Sequence, residues 1–222
     1  MAGANLSARA RRRSLVVGVL VALLVIGVWR LWPDPAVPEA AAPPAPQAVV
    51  PGTVLKSSEC ANPATKPFVP TRISVAKVTT GAPVIGLPRD RNNVPSALPI
   101  GAANAKTAFA WDKPTIKPGS PKGNVLLNTH TWPDGTSMGN HLLDKLQVGG
   151  RIVVRGAHGQ ELCYQVTKRT VIVAADGSAE YYAKDGPPQL AIIVCSPPRL
   201  GPGNWYHRTI WYASPVTLVQ AS

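Results

Sequence analysis

Three residues of the 222-residue chain could together carry covalent chemistry: Cys195 closing the apolar run "LAIIVC", His130 closing "NVLLNTH", and Arg208 opening "HRTIWYA". A cysteine attacks as the thiolate, so it needs a base or a cation nearby. Alternation along "LAIIVC" places Ala191, Ile193 and Cys195 on one face and Ile192 and Val194 on the other. Ser196-Pro197-Pro198 follows directly, and proline cannot continue a central ladder, so the strand is expected to stop at Cys195. Two readings are open: a small hydrophobe packed at a strand end, or a nucleophile. Of the four histidines, His130 lies at a strand-to-loop junction before the turn-forming "TWPDG"; His141 falls in a helical turn, His158 in the hairpin-like "GAHGQ", and His207 beside Arg208. Arg208 shares a strand face with Ile210 and Tyr212, which calls for a salt bridge or a role at a site. Its permanently charged donor fork suits a developing oxyanion.

The elements that must position these residues are strands. From Arg72 onward, short β-branched and aromatic runs alternate with Gly, Pro, Asn and Asp. Strands are expected at 72–78, 107–111, 124–130, 151–156, 162–173, 190–195 and 207–213, with "PVTLV" as a further edge. "SMGNHLLDKLQ", residues 137–147, suits a short helix. Seven or eight strands at this spacing predict an all-β fold, a closed or nearly closed barrel.

The first sixty residues have another character. Leu15 to Trp29 is unbroken apolar sequence, and with Arg30 to Trp32 it reaches about 27 Å as a helix, near the thickness of a hydrocarbon core. Arg9, Arg11, Arg12 and Arg13 precede it, which keeps the N-terminus cytoplasmic and places the remainder outside. A cleaved signal peptide, with small residues at 40–42 as its processing site, is the competing reading. Residues 33–51 hold seven prolines and few large side chains, a composition for an extended spacer or an unstructured tail. Beyond Trp32, 18 Lys and Arg stand against 11 Asp and Glu, a balance of +7 suited to an anionic cell envelope. These charges are spread out and lack interleaved aromatics, so no nucleic-acid partner is expected.

Three cysteines outside the membrane leave at least one unpaired within a monomer. Cys60 with Cys163 would leave Cys195 free; two additional free thiols are the alternative. No Cys-x-x-Cys or His-x-x-x-His spacing is present, so neither a metal nor another cofactor is expected.

Together, "NVLLNTHTW", "LAIIVC" and "NWYHRTIWYA", in that order, resemble the sortases, cysteine transpeptidases of Gram-positive surfaces. The resemblance covers roughly residues 68–219 and extends to "APV" at 82–84 and "HLLDKLQVGGRIVV" after the histidine. It implies Cys195 as nucleophile, His130 as acid and base, and Arg208 as oxyanion stabiliser. With the readings of the first sixty residues, the expected organisation is a basic cytoplasmic tail at 1–14, a signal-anchor at 15–32, a linker at 33–67 and a catalytic domain at 68–222. The implied partners are secreted proteins with a C-terminal, LPxTG-like sorting signal and an amine acceptor in the wall or on a pilin. The loop "SPPRLGPGNWYH" resembles the actinobacterial class E/F group. One departure stands out: the family's Thr-Leu-x-Thr-Cys is Ala191-Ile192-Ile193-Val194-Cys195 here, so both hydroxyls are absent. A non-catalytic anchored barrel that binds envelope polymer is therefore the second reading. An L,D-transpeptidase is disfavoured because "IIVCSPP" lacks its Ser-His-Gly-Cys-like cluster.

Overall fold

The computed structural model describes Cys60 and residues 64–216. The expected span at 15–32, most of the linker and the chain beyond 216 lie outside the described residues. No helix among the described residues is long and apolar enough to cross a membrane. The described residues form eight strands, β1 Pro70–Val75, β2 Thr79–Leu87, β3 Phe109–Asp112, β4 Asn124–Asn128, β5 Arg151–Gly156, β6 Glu161–Val173, β7 Gln189–Gly201 and β8 Asn204–Pro215. Among the described residues one helix, α1 Met138–Lys145, lies between β4 and β5. The strands close into a barrel in the order β1-β2-β3-β4-β7-β8-β6-β5, as the strand count predicts.

Period-two alternation divides β7 between two layers. Leu190, Ile192 and Val194 point into the main core with Trp211, whereas Ala191 and Ile193 pack with Leu126, Tyr181 and Ile210 in a smaller cluster on the other face. The face that carries Cys195 is thus the outer one, covered by the β6–β7 connection through Tyr181. Each large side chain buried in these layers contributes roughly 1.5–3 kcal/mol, which makes the barrel a rigid frame for whatever its rim presents. Helix α1 joins the main core through Leu142 and Leu146, and its C-terminal carbonyl at Leu146 accepts from Trp211 Nε1 at 2.9 Å.

Beyond shifts of two or three residues at strand ends, which leave His130 two residues past the end of β4, two elements differ from the sequence expectation. Strand β2 was not anticipated, because Gly81, Pro83 and Gly86 interrupt its pattern; Ala82 and Val84 nevertheless alternate inward, and β1 turns into it through Lys77 at φ 65°. Strand β7 does not stop at Cys195 but continues to Gly201. Its pairing with β8 shifts register between Ser196 and Arg199. Both prolines, joined by a cis peptide, fall inside that irregularity, where no regular ladder donor is required of them.

Cys60 is joined to Cys163 on β6, with Cα atoms 6.0 Å apart and a sequence separation of 103. Ala64 N–H donates to Glu161 O at 2.7 Å, so the incoming chain is tied to β6 twice. Closing so long a loop stabilises the fold by up to about 4.7 kcal/mol on chain-entropy grounds. Protein made under oxidising conditions and denatured without reductant should titrate one thiol, Cys195, and three after reduction. Three thiols before reduction would contradict the pairing.

Candidate active site

Cys195 and Arg208 face each other directly across the β7–β8 ladder. Opposed residues of an antiparallel pair share a face at a Cβ separation of about 5 Å, so thiol and guanidinium project together from the outer face. His130 arrives from the other side of β7. Strand β4 runs parallel to β7 with Asn128 level with Ile193, and two further residues bring His130 level with Cys195. A hydrogen bond from Thr131 Oγ1 to Cys195 O at 2.6 Å fixes that approach. All three side chains line one cleft of about 420 Å³. One wall comes from the β2–β3 connection, with Val94, Pro95 and Ala97, and the other from the β6–β7 connection, with Tyr181 and Tyr182.

Burial pushes the Cys195 thiol above its ordinary pKa, and the nearby Arg208 guanidinium pulls it partly back. The resting cysteine is therefore mostly a thiol at neutral pH, stabilised as a thiolate only by its cross-strand neighbour. Among the described residues Arg208 has no carboxylate partner; one terminal nitrogen, Nη1, donates to Trp205 O at 3.0 Å and His207 O at 2.9 Å. These two bonds orient the guanidinium and leave its other donors for the cleft. The salt bridge that could have explained an arginine on this face is thus not present among the described residues.

His130 Nε2 lies 2.6 Å from the carbonyl of Leu98. A carbonyl only accepts, so Nε2 carries the proton, which settles the tautomer of the neutral ring and directs Nδ1 elsewhere. Asn128 Nδ2 donates to Ser96 O at 3.0 Å, a second strap from the β4 end to the same connection. That connection is anchored in turn by Arg89, which donates to buried Asp112 from Nη2 at 2.7 Å and lies 5.8 Å from the Tyr182 ring centroid. The ring of His130 meets Trp132 edge-to-face, at 5.7 Å between centroids.

The remaining histidines lie elsewhere: His141 on α1, His158 exposed in the β5–β6 turn, and His207 on the outer hairpin with Nδ1 2.7 Å from Pro197 O. Among the described residues no group of three or more His, Cys, Asp or Glu is placed to hold a metal ion. Ala191 and Val194, where relatives would carry threonine, are fully buried or nearly so, at 0% and 2% exposure. Apolar side chains suit both layers there, but no hydroxyl reaches the cleft from either position. Leu98, Thr131 and the aromatic wall carry no signal in the sequence, because the first acts through its backbone, Thr131 follows from the β4–β7 register and the tyrosines from the path of the β6–β7 connection.

The sortase-domain family model matches residues 74–216. The chain belongs to the sortase family. That membership supports cysteine transpeptidase chemistry, and the closed eight-stranded barrel is the sortase fold. No curated protein matches this sortase in sequence. Among solved structures, the pilus-related sortase C of Group B Streptococcus matches at 18% identity over 67% of each chain with a TM-score of 0.50. Streptococcus agalactiae sortase C1 matches at 19% identity over 67% of this chain and 68% of that one, with a TM-score of 0.49. Sortase C1 from Streptococcus suis matches at 17% identity over 70% and 76% of the respective chains, also at 0.49.

Proposed function

We propose that the protein is a membrane-anchored sortase that cleaves a C-terminal, LPxTG-like sorting signal and transfers the severed protein to an envelope amine. The observation that carries this reading is the direct cross-strand opposition of Cys195 and Arg208 in a cleft that His130 also lines. His130 Nδ1 takes the Cys195 S–H proton, and the sulfur forms a bond to the carbonyl carbon of a Thr-Gly peptide while the C–N bond breaks. His130 delivers a proton to the departing amine of glycine. Arg208 donates to the oxygen that carries the negative charge in between. The incoming amine then attacks the thioester, His130 takes its proton, and Cys195 leaves as the thiolate, which recovers that proton from His130 to restore the resting thiol. The acceptor is a wall peptide or a pilin, and water in its place makes the enzyme a hydrolase. The apolar run at 15–29 and the arginines before it support a single-pass anchor with the barrel outside the cell.

Intact-mass analysis of the full-length chain incubated with a panel of LPxTG and LAxTG peptides tests the chemistry. The expected adduct is the peptide through its threonine, less one water, on Cys195, with a released fragment that begins at glycine. If no peptide in the panel gives an adduct or a fragment, the non-catalytic polymer-binding barrel becomes the better reading. The buried Ala191 and Val194, which remove both family hydroxyls, are the feature that favours it.

A further inference from the structure

The backbone around His130 is held by α1 through a set of bonds that centres on one side chain. Asn140 Oδ1 accepts from Trp132 N–H at 2.9 Å, and Asn140 Nδ2 donates to Trp132 O at 3.0 Å. The amide thus engages both backbone groups of Trp132, as a paired strand would. Asn140 Oδ1 also accepts from Ser137 N–H at 3.3 Å, which closes the first turn of α1 on its N-cap. The His130 carbonyl accepts from Gly139 N–H at 2.8 Å and lies 2.7 Å from Ser137 Oγ. Ser137 Oγ is also 2.6 Å from Asn140 Oδ1, and its single proton serves one of these acceptors at a time. Gly139 is required at this contact, because a Cβ there would overlap the His130 carbonyl and lie 2.5 Å from Thr131 Oγ1.

We infer that Asn140 is a positioning residue for His130. It fixes the backbone of Trp132, and the indole of Trp132 packs edge-to-face against the imidazole. Thr131, between the two, reaches the Cys195 carbonyl, so the same three-residue segment sets the separation of imidazole and thiol. Asn140 does not line the cleft, so its effect is exerted through the ring it steadies. The inference rests on the transpeptidase reading for its rate consequence but not for its effect on the ring.

The test uses the full-length chain as wild type, Asn140→Ala and Asn140→Asp. Cleavage of whichever LPxTG or LAxTG peptide the wild type accepts should show kcat lower by about 10- to 100-fold in Asn140→Ala, with KM within twofold, as expected for misplaced reacting groups. Asn140→Asp keeps the acceptor for Trp132 N–H and loses the donor to Trp132 O, so its kcat should fall between the two. In 15N-histidine-labelled resting protein, the His130 Nδ1 and Nε2 resonances of Asn140→Ala should move toward the averaged values of a freely exchanging imidazole. Alkylation of Cys195 by iodoacetamide should change less than twofold, which separates a misplaced histidine from a disrupted fold. Unchanged His130 resonances, or an unchanged kcat, overturn the inference; if Asn140→Ala does not fold, the same two readings on Asn140→Asp decide it. If the wild type cleaves no peptide, the transpeptidase reading has failed, and the resonances alone decide the positioning role.

Discussion

Cys195→Ala should abolish acyl-enzyme formation and peptide cleavage, with loss beyond the detection limit of a single-turnover assay, while the barrel stays folded. The side chain is half-buried on the outer face, not in the main core, so its truncation should cost about 1 kcal/mol or less of stability. The thermal midpoint and the Cys60–Cys163 bond are therefore expected to persist. Cleavage by this variant at anything near the wild-type rate would defeat the assignment of the nucleophile. A companion measurement uses the thiol itself. Burial raises its pKa and Arg208 opposes that rise, so the thiolate fraction is small at neutral pH and grows with alkalinity. Iodoacetamide alkylation of the unreduced protein, in which Cys195 is the free cysteine among the described residues, should keep accelerating at pH values where an exposed thiol has levelled off. Arg208→Ala removes the stabilising cation and should push the alkylation curve further toward high pH. A curve that moves the other way would mean that the guanidinium does not face the sulfur.

Much of this site is legible in the sequence. The alternation in "LAIIVC" and "HRTIWYA" sets the faces of Cys195 and Arg208, and the ladder between β7 and β8 then makes them neighbours. Position in the chain could not supply that last step, because cross-strand register is decided by the hairpin connecting the strands. Pro197 and Pro198 illustrate the limit. Read locally, they end the strand; in the fold they sit in a bulge, and β7 and β8 pair again at Arg199 and Trp205. The β2 strand was hidden for a related reason, since Gly81, Pro83 and Gly86 are turn formers whose cost the neighbouring β1 and β3 ladders offset. The tether on His130 was illegible for a third reason. A Leu98 carbonyl has no residue-type signature, and a connection of more than twenty residues between β2 and β3 can be laid over the barrel in many ways. By contrast, Ser137 and Asn140 stand at N-cap and N3 spacing, a pattern that could have indicated both the start of α1 and its grip on the preceding turn.

Arg208→Lys should slow the chemical step by about 100- to 1,000-fold, the range seen when an oxyanion donor is lost. The substitution keeps the positive charge but replaces a planar five-donor fork with a flexible ammonium. In the native site the fork is held by Nη1 bonds to the carbonyls of Trp205 and His207, so the guanidinium is ordered before charge develops. A lysine at this position can satisfy those carbonyls or reach the oxyanion, but its single nitrogen cannot preserve both arrangements. The retained charge should still favour the thiolate, so alkylation of Cys195 is expected to change far less than acylation. That contrast separates transition-state stabilisation from simple activation of the thiol. His207→Ala, one residue earlier and on the opposite face of β8, should cost less than tenfold, because its ring contacts Pro197 O and Tyr206 on the outer hairpin. Acyl-enzyme formation measured in single-turnover mode for both variants decides the matter. If Arg208→Lys acylates at a near-normal rate, the guanidinium is an ornament of the β8 backbone and the oxyanion must be held by another donor.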